Sequence, residues 1–375
     1  MSVRAGPGEI PGGREAPRLS TGSQFQQGAN SMTTGRPNAA YAGQVVHFPD
    51  PLRAQQYPSG VTIDAEGRPD FSPYVRAAAE VADPPEGFGV DELRLTDYVS
   101  ANAALRAQGH ELWADVESPV GTPVGWTWHH SVAPATPGSR RLELVPVEVK
   151  ALLRHHAGLA GSRADHAKRG TRPLQERRPV HFALSGPVEG GAAEGAGSGE
   201  DAARPSCAET EQRLQAVEEA LGYTLPGPYR TFLKAAGGRA PKGLGLDTEL
   251  GVLVDQPFFG LPAERSITDL SYVNKCLRDH VTKDYLGIGF AQGGLLAIKV
   301  RGERIGTVWF MPYDDARDDG DPSLTPQQRC ERLLLPCGDD FDAFLLRLAG
   351  SPPELQTVAE LMVDGGFARA VPVKG

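Results

Sequence analysis

The chain has 375 residues, a formal charge of -9 and a hydrophobic content of 40%, which suits two or three domains of about 100–200 residues each. No run approaches the ~18 consecutive apolar residues a membrane helix needs, and the N-terminus lacks the apolar stretch of a signal peptide. A cytoplasmic product is expected, with export by a route that reads no N-terminal signal left open. Four dispersed cysteines without a CxxC pair indicate neither a zinc knuckle nor a disulfide framework.

Residues 1–40 are rich in Gly, Pro, Ser, Gln and Thr, a composition that buries too little apolar surface to offset chain entropy, so disorder is expected there and Met32 is an alternative start. Short strands and turns follow in "QVVHF", "GVTID" and "GRPDFSPYV", with Gly67, Pro69 and Pro73 as breakers. "VDELRLTDYVSANAALRAQ" predicts a helix with Leu93, Tyr98, Ala101 and Leu105 facing inward. "GWTWHH" and "RRLELV" predict strands, and Pro146 opens a helix through "PVEVKALLRHHAG". Paired histidines thus fall at the end of one strand, His129-His130, and along the helix that follows, His155-His156. Between residues 139 and 178 there are ten basic residues against four acids. Such a flank is by default solvated, and in a functional reading it contacts phosphates without sequence choice.

A strand–strand–helix unit with histidines at these places is a compact way to hold one divalent cation, because neutral imidazole is a good ligand and a neighbouring histidine can take a proton from water. The stretches "GWTWHH", "RLELVPVEVK" and "RHHAG", with "DFSPYV" and "DYVSAN" upstream, resemble the WHH branch of the HNH (His-Me finger) nucleases, common as bacterial polymorphic toxin domains, over about residues 41–161. The resemblance implies His130 as general base, with His129 and His155 as ligands of a divalent ion (Zn, Ni, Mn or Mg). Trp126 and Trp128 would pack the finger, Asp97 and Asn102 would support it, and Arg140, Arg141, Arg154, Arg163, Lys168 and Arg169 would contact DNA or RNA. One position departs: relatives carry histidine where this chain has Lys150, and a protonated lysine has no lone pair to offer a metal. His156 is a poor substitute, since neighbouring helix residues point about 100° apart.

Residues 181–206 read as a flexible Gly/Ala/Glu-rich linker. Beyond it come a helix through Leu214, Val217 and Leu221 that stops at Gly222, a Leu-Pro corner, and a helix carrying Tyr229, Phe232 and Leu233. Strands follow in "ELGVLV", in a hairpin broken by "AQGG", and in "GTVWFMPY", before a helix with Phe341, Phe344, Leu345 and Leu348 on one face. The order of Glu218, Leu221-Gly222, Leu225-Pro226, Tyr229, Phe232-Leu233, Gly237-Gly238, "FFG", "GTVWF" and "FDAFLLRL" resembles the SUKH superfamily, whose bacterial members are commonly immunity proteins against toxins. The acidic loop "YDDARDDGD" lacks the spacing of a calcium loop and reads as solvated, or as a surface that faces a basic nuclease. Residues 351–375 read as a helix, through Leu355, Val358, Leu361 and Met362, and a tail.

The expected fold is α+β: a ββα-metal finger nuclease domain (41–180) and a SUKH-like sheet covered by helices (207–350), joined by the linker. The expected function is metal-dependent hydrolysis of nucleic-acid phosphodiesters by a toxin-like endonuclease fused to its own immunity domain, an intramolecular or intermolecular contact. The alternative is a non-catalytic immunity protein whose degenerate nuclease domain is a relic or decoy.

Overall fold

A computed structural model describes residues 38, 41–48, 50–83, 90–118, 120–132, 135–151, 206–236, 245–247, 252–262, 266–276, 282–313, 331–332, 334–349 and 353–373. The expected disordered N-terminus, the linker and the acidic loop lie outside or almost wholly outside these residues. Among the described residues no helix is long and apolar enough to cross a membrane, and Cys207 and Cys337 form no disulfide.

The first half runs β1 (Val45–Val46), α1 (Pro51–Gln56), β2 (Val61–Ile63), β3 (Pro69–Asp70), β4 (Ala77–Ala82), α2 (Val90–Ala107), β5 (Trp126–His130), β6 (Ser139–Pro146) and α3 (Val147–Ala151). The second comprises α4 (Cys207–Leu221), α5 (Gly227–Ala235), β7 (Gly245–Asp247), β8 (Val252–Val254), α6 (Leu270–Cys276), β9 (Tyr285–Ala291), β10 (Gly294–Lys299), β11 (Val308–Pro312), β12 (Leu335–Gly338), α7 (Phe341–Arg347) and β13 (Leu348–Ala349). The chain then closes with α8 (Pro353–Asp364) and β14 (Ala368–Val371). The mixed α+β character expected from the sequence is present in both halves.

The closing elements do not form a separate tail. An antiparallel sheet of order β14-β4-β6-β5 takes its first strand from the C-terminus, with Ala368 opposite Val81 and Val371 opposite Ala78. One face of this sheet, through Ala79, Val81, Trp128, Leu142 and Leu144, packs on Tyr98, Ala101 and Leu105 of α2 and on Met362 of α8. The other face, through Val145, meets Val149 of α3 and the small β1-β2-β3 sheet through Val46, Ile63 and Phe71. Within α8, Met362 turns inward as expected, whereas Leu361 is exposed and Ala359 is the buried residue. Ala359 joins Leu95 and Val99 of α2 and Leu253 of β8 in a small cluster, so α2 is buried on two sides.

The second half is built on an antiparallel sheet of order β12-β11-β10-β9. Its helices bury Leu214, Tyr229, Leu233, Phe341 and Phe344 against Phe258, Phe310 and Leu296. Ser206 caps α4 in a capping box with Glu209, and Gly222 ends the helix at φ 76, a left-handed conformation that glycine adopts without steric cost. A short sheet of order β13-β7-β8 accompanies the larger one. Leu348 belongs to this sheet and not to α7, which stops at Arg347.

The halves share packing: Val147 and Ala151 of α3 lie in the core of the second half. A polar seam adds Tyr272, whose hydroxyl donates to Asp50 at 2.6 Å while its ring lies 4.9 Å from the Arg53 guanidinium.

Because β14 supplies buried Ala368 and covers the edge of β4, a chain ending at Gly366 should lose at least about 2 kcal/mol. Urea unfolding followed by tryptophan fluorescence checks this, since Trp113, Trp126 and Trp128 lie in the first half. An unchanged midpoint would mean that β14 contributes nothing to the sheet.

Candidate active site

Successive residues of a strand point to opposite faces. Along β5, Trp128 and His130 face α2, while Thr127 and His129 face the other way. The five-residue spacing of Asp97 and Asn102 on α2 advances about 7.5 Å, close to the ~6.7 Å between Trp128 and His130 on the strand. Each helix side chain therefore meets one strand residue. Asn102 Oδ1 accepts from the Trp128 indole N–H at 2.8 Å, and its Nδ2 donates to Val120 O at 2.8 Å and Thr122 Oγ1 at 3.0 Å. The Trp128 ring, fully buried, stacks on Trp113 with centroids 6.1 Å apart.

Asp97 is fully buried and lies 2.9 Å from His130 Nε2. Arg140 donates to the same carboxylate twice, through Nε at 3.0 Å and Nη2 at 2.6 Å, and reaches Asp83 at 2.6 Å. Burial pushes the Asp97 carboxyl up, but the hydrogen bonds from His130 and Arg140 outweigh it and hold the group below its ordinary range. An ionised Asp97 has no hydrogen to give, so in the neutral ring the Nε2 carries the proton and the lone pair falls on Nδ1. That Nδ1 is buried and has no hydrogen-bond partner among the described residues. The His130 ring is 5.5 Å from that of Tyr98.

His129 sits on the opposite face, 7% exposed, edge-on to Phe71 at 5.0 Å and across the strand pair from Glu143. Lys150 on α3 is 1% exposed and donates to the Trp128 carbonyl at 2.6 Å. The other edge group of Trp128, its backbone N–H, donates to Gln292 Oε1 at 3.3 Å, which also accepts from Thr127 Oγ1 at 3.1 Å. Gln292 Nε2 in turn donates to both oxygens of Asp255, at 3.1 and 2.9 Å. Burial pushes Asp255 up to about 6 against the opposing hydrogen bonds from Thr122, Gln292 and Gln256.

The structure thus brings Trp128, His130, Asp97, Asn102 and Arg140 together, with Lys150 at the strand edge. Trp126 is half-buried at the start of the same strand, packed against the sheet core. Two arginines expected at the nucleic acid are engaged internally: Arg140 as the counter-ion of Asp97, and Arg141, 7% exposed, with Glu143 at 2.9 Å and Pro372 O at 3.3 Å. His155, His156, Arg154, Arg163, Lys168 and Arg169 lie outside the described residues. Among the described residues no group of three His, Cys, Asp or Glu side chains is placed to hold a metal ion, and with Lys150 at the expected helix position these residues alone do not complete a metal centre. The partners that sequence reasoning missed, Gln292, Asp255 and Gln256, come from the second half. Gln292 falls in the "AQGG" stretch read as a turn, and a polar turn residue carries no local signal of a distant partner.

Residues 120–165 match a family model described as a nuclease of the HNH/ENDO VII superfamily with conserved WHH. Residues 208–347 match the SMI1/KNR4 family (SUKH-1). Both resemblances read from the sequence are therefore present, one in each half. The WHH match takes in His129, His130, Lys150 and His155, whereas Asp97 and Asn102 precede it. No curated protein and no solved structure matches the chain.

Removing one partner of a buried ion pair costs about 3–5 kcal/mol, and Asp97→Ala should lower the unfolding free energy by that order. Since the folded Asp97 titrates below the unfolded group, its contribution is present above about pH 4 and is lost as pH falls through the lowered value. Urea unfolding between pH 2 and 7 should therefore show the wild-type advantage over Asp97→Asn shrinking on acidification. A constant difference would contradict the ionised assignment.

Proposed function

We propose that the first half is a nucleic-acid phosphodiester hydrolase of the WHH type, carried in one chain with a SUKH-1 domain of the immunity kind. The observation that supports this best is His130, on the matched strand, with Nε2 fixed by a buried, ionised carboxylate and Nδ1 left without a partner. In this reading Nδ1 accepts the proton of a water whose oxygen bonds to phosphorus as the P–O bond to the leaving oxygen breaks. The Asp97 carboxylate stabilises the imidazolium that forms, and Arg140 keeps that carboxylate ionised. The divalent cation that the resemblance implies would need His155 beside His129.

Lys150 favours a second reading. A cationic side chain at the expected ligand position, hydrogen-bonded to the strand, suits a finger that no longer binds metal and a chain whose working part is the SUKH-1 half.

The two separate in a degradation assay on plasmid DNA and on RNA, with the full chain supplied in turn with Zn²⁺, Ni²⁺, Mn²⁺ and Mg²⁺. General-base catalysis contributes roughly 10²–10⁴-fold, so His130→Ala should lower hydrolysis at least about 100-fold, while Lys150→His retains or raises it. Hydrolysis that persists at the wild-type rate in His130→Ala would contradict the hydrolase reading.

A further inference from the structure

We propose that the β9–β10 turn of the second half is an intramolecular stop seated between β5 and α2, which closes the His130 site, and that the reactive state is reached when this turn leaves its slot. The inference rests on the hydrolase reading and adds its regulation.

The turn is two residues long, Gln292 and Gly293, between Ala291 and its partner Gly294. All four are buried. A turn at the tip of a hairpin is ordinarily solvated, so burial there calls for something that covers it. Its own half supplies part of the cover, with Gln292 N donating to Leu253 O and Tyr313 N to Gly293 O, both at 2.9 Å, and the first half supplies the rest. Gln292 takes the outward N–H of Trp128 and the hydroxyl of Thr127. Gly293 lies so close to α2 that a Cβ would stand 3.0 Å from Tyr98 Oη and 3.2 Å from Arg94 Cδ, and its φ of +77 disfavours any side chain as well.

The tip is held in place by residues at the end of β8. Asp255 accepts from the Gln292 amide nitrogen through both oxygens and from Thr122 N at 3.1 Å. Gln256 accepts from Gly125 N at 2.8 Å and donates to Pro123 O at 3.3 Å. Three side chains of the second half thus engage the backbone of residues 122–128, the segment that leads into the histidines. Most of these bonds are to main-chain groups, which any water can satisfy after separation, so their exchange on opening costs little per bond.

The consequence reaches His130 through Tyr98, which touches the tip on one side and the imidazole on the other. His130 is 2% exposed. A base whose free nitrogen no phosphodiester can approach is inactive in this arrangement, and the tip, seated against Tyr98 and the Trp128 amide, holds in place two of the residues beside it.

The test uses the full chain and two readouts: carbethoxylation of histidines by diethyl pyrocarbonate, mapped by mass spectrometry, and nucleic-acid hydrolysis. His47 is exposed and serves as the internal reference. In wild type, His129 and His130 should react at least about 100-fold more slowly than His47, as groups reached only by local opening do. Gln292→Ala should raise the His130 rate about tenfold, and Gln292→Glu, which sets a second carboxylate against Asp255, should raise it further, with His47 unchanged. Tyr229→Phe removes the 3.1 Å bond to Phe259 O inside the core of the second half and should leave the strand protected, which separates loss of the stop from general loosening. Unchanged protection in both Gln292 variants, or equal loss in Tyr229→Phe, would overturn the stop. Exposure that rises without any hydrolysis would leave the stop standing and remove the hydrolase reading.

Discussion

Everything in the first half turns on how Trp128 is held. Its indole N–H is taken by Asn102, its backbone N–H by Gln292 and its carbonyl by Lys150. β5 is the edge strand of its sheet, and an unpaired edge is ordinarily satisfied by water or by another strand. Here two side chains, one from α3 and one from the second half, take that place. Because side chains alternate, fixing Trp128 also fixes which face receives His129 and which receives His130, so the division of the histidine pair is a consequence of this one residue's bonds.

The buried charges follow from the same arrangement. An isolated carboxylate on the buried face of α2 would be too costly to keep ionised, and Asp97 is tolerated because Arg140 and His130 both donate to it. Arg140 therefore serves the interior of the site, as the counter-ion of Asp97. Lys150 is similar. At this position the chain has a side chain whose length and hydrogens suit the strand edge, where it takes the Trp128 carbonyl.

Local pattern made much of this legible. The apolar period of α2 placed Tyr98, Ala101 and Leu105 inward, the run from Trp126 to Ala151 was readable as strand, strand and helix, and Gly222 marked the end of α4. The resemblance implied that Asp97 and Asn102 support this strand, and the structure sets Asp97 against His130 and Asn102 against Trp128. What local pattern does not carry is pairing across long sequence separations. Nothing in "ARAV" points to β4, nearly three hundred residues earlier, and nothing in "AQGG" points to Trp128. Charge has the same limit: the basic count around Arg140 and Arg141 is the same whether a guanidinium meets solvent or a buried acid. Leu361 and Leu348 differ from expectation because helical period alone fixes neither the phase of α8 against its neighbours nor the residue at which α7 gives way to a strand.

The most direct test of this account is native-state amide exchange at Trp128 in the full-length chain. Ser131 N donates to Arg141 O across the strand pair, so by antiparallel alternation the odd-numbered amides Thr127 and His129 face β6 while the Trp128 amide faces outward. With Gln292 in place the Trp128 amide should exchange within about tenfold of those two neighbours. Exchange at the rate of a solvated edge amide, while Thr127 and His129 stay protected, would contradict the account, because the strand would then be held by β6 alone.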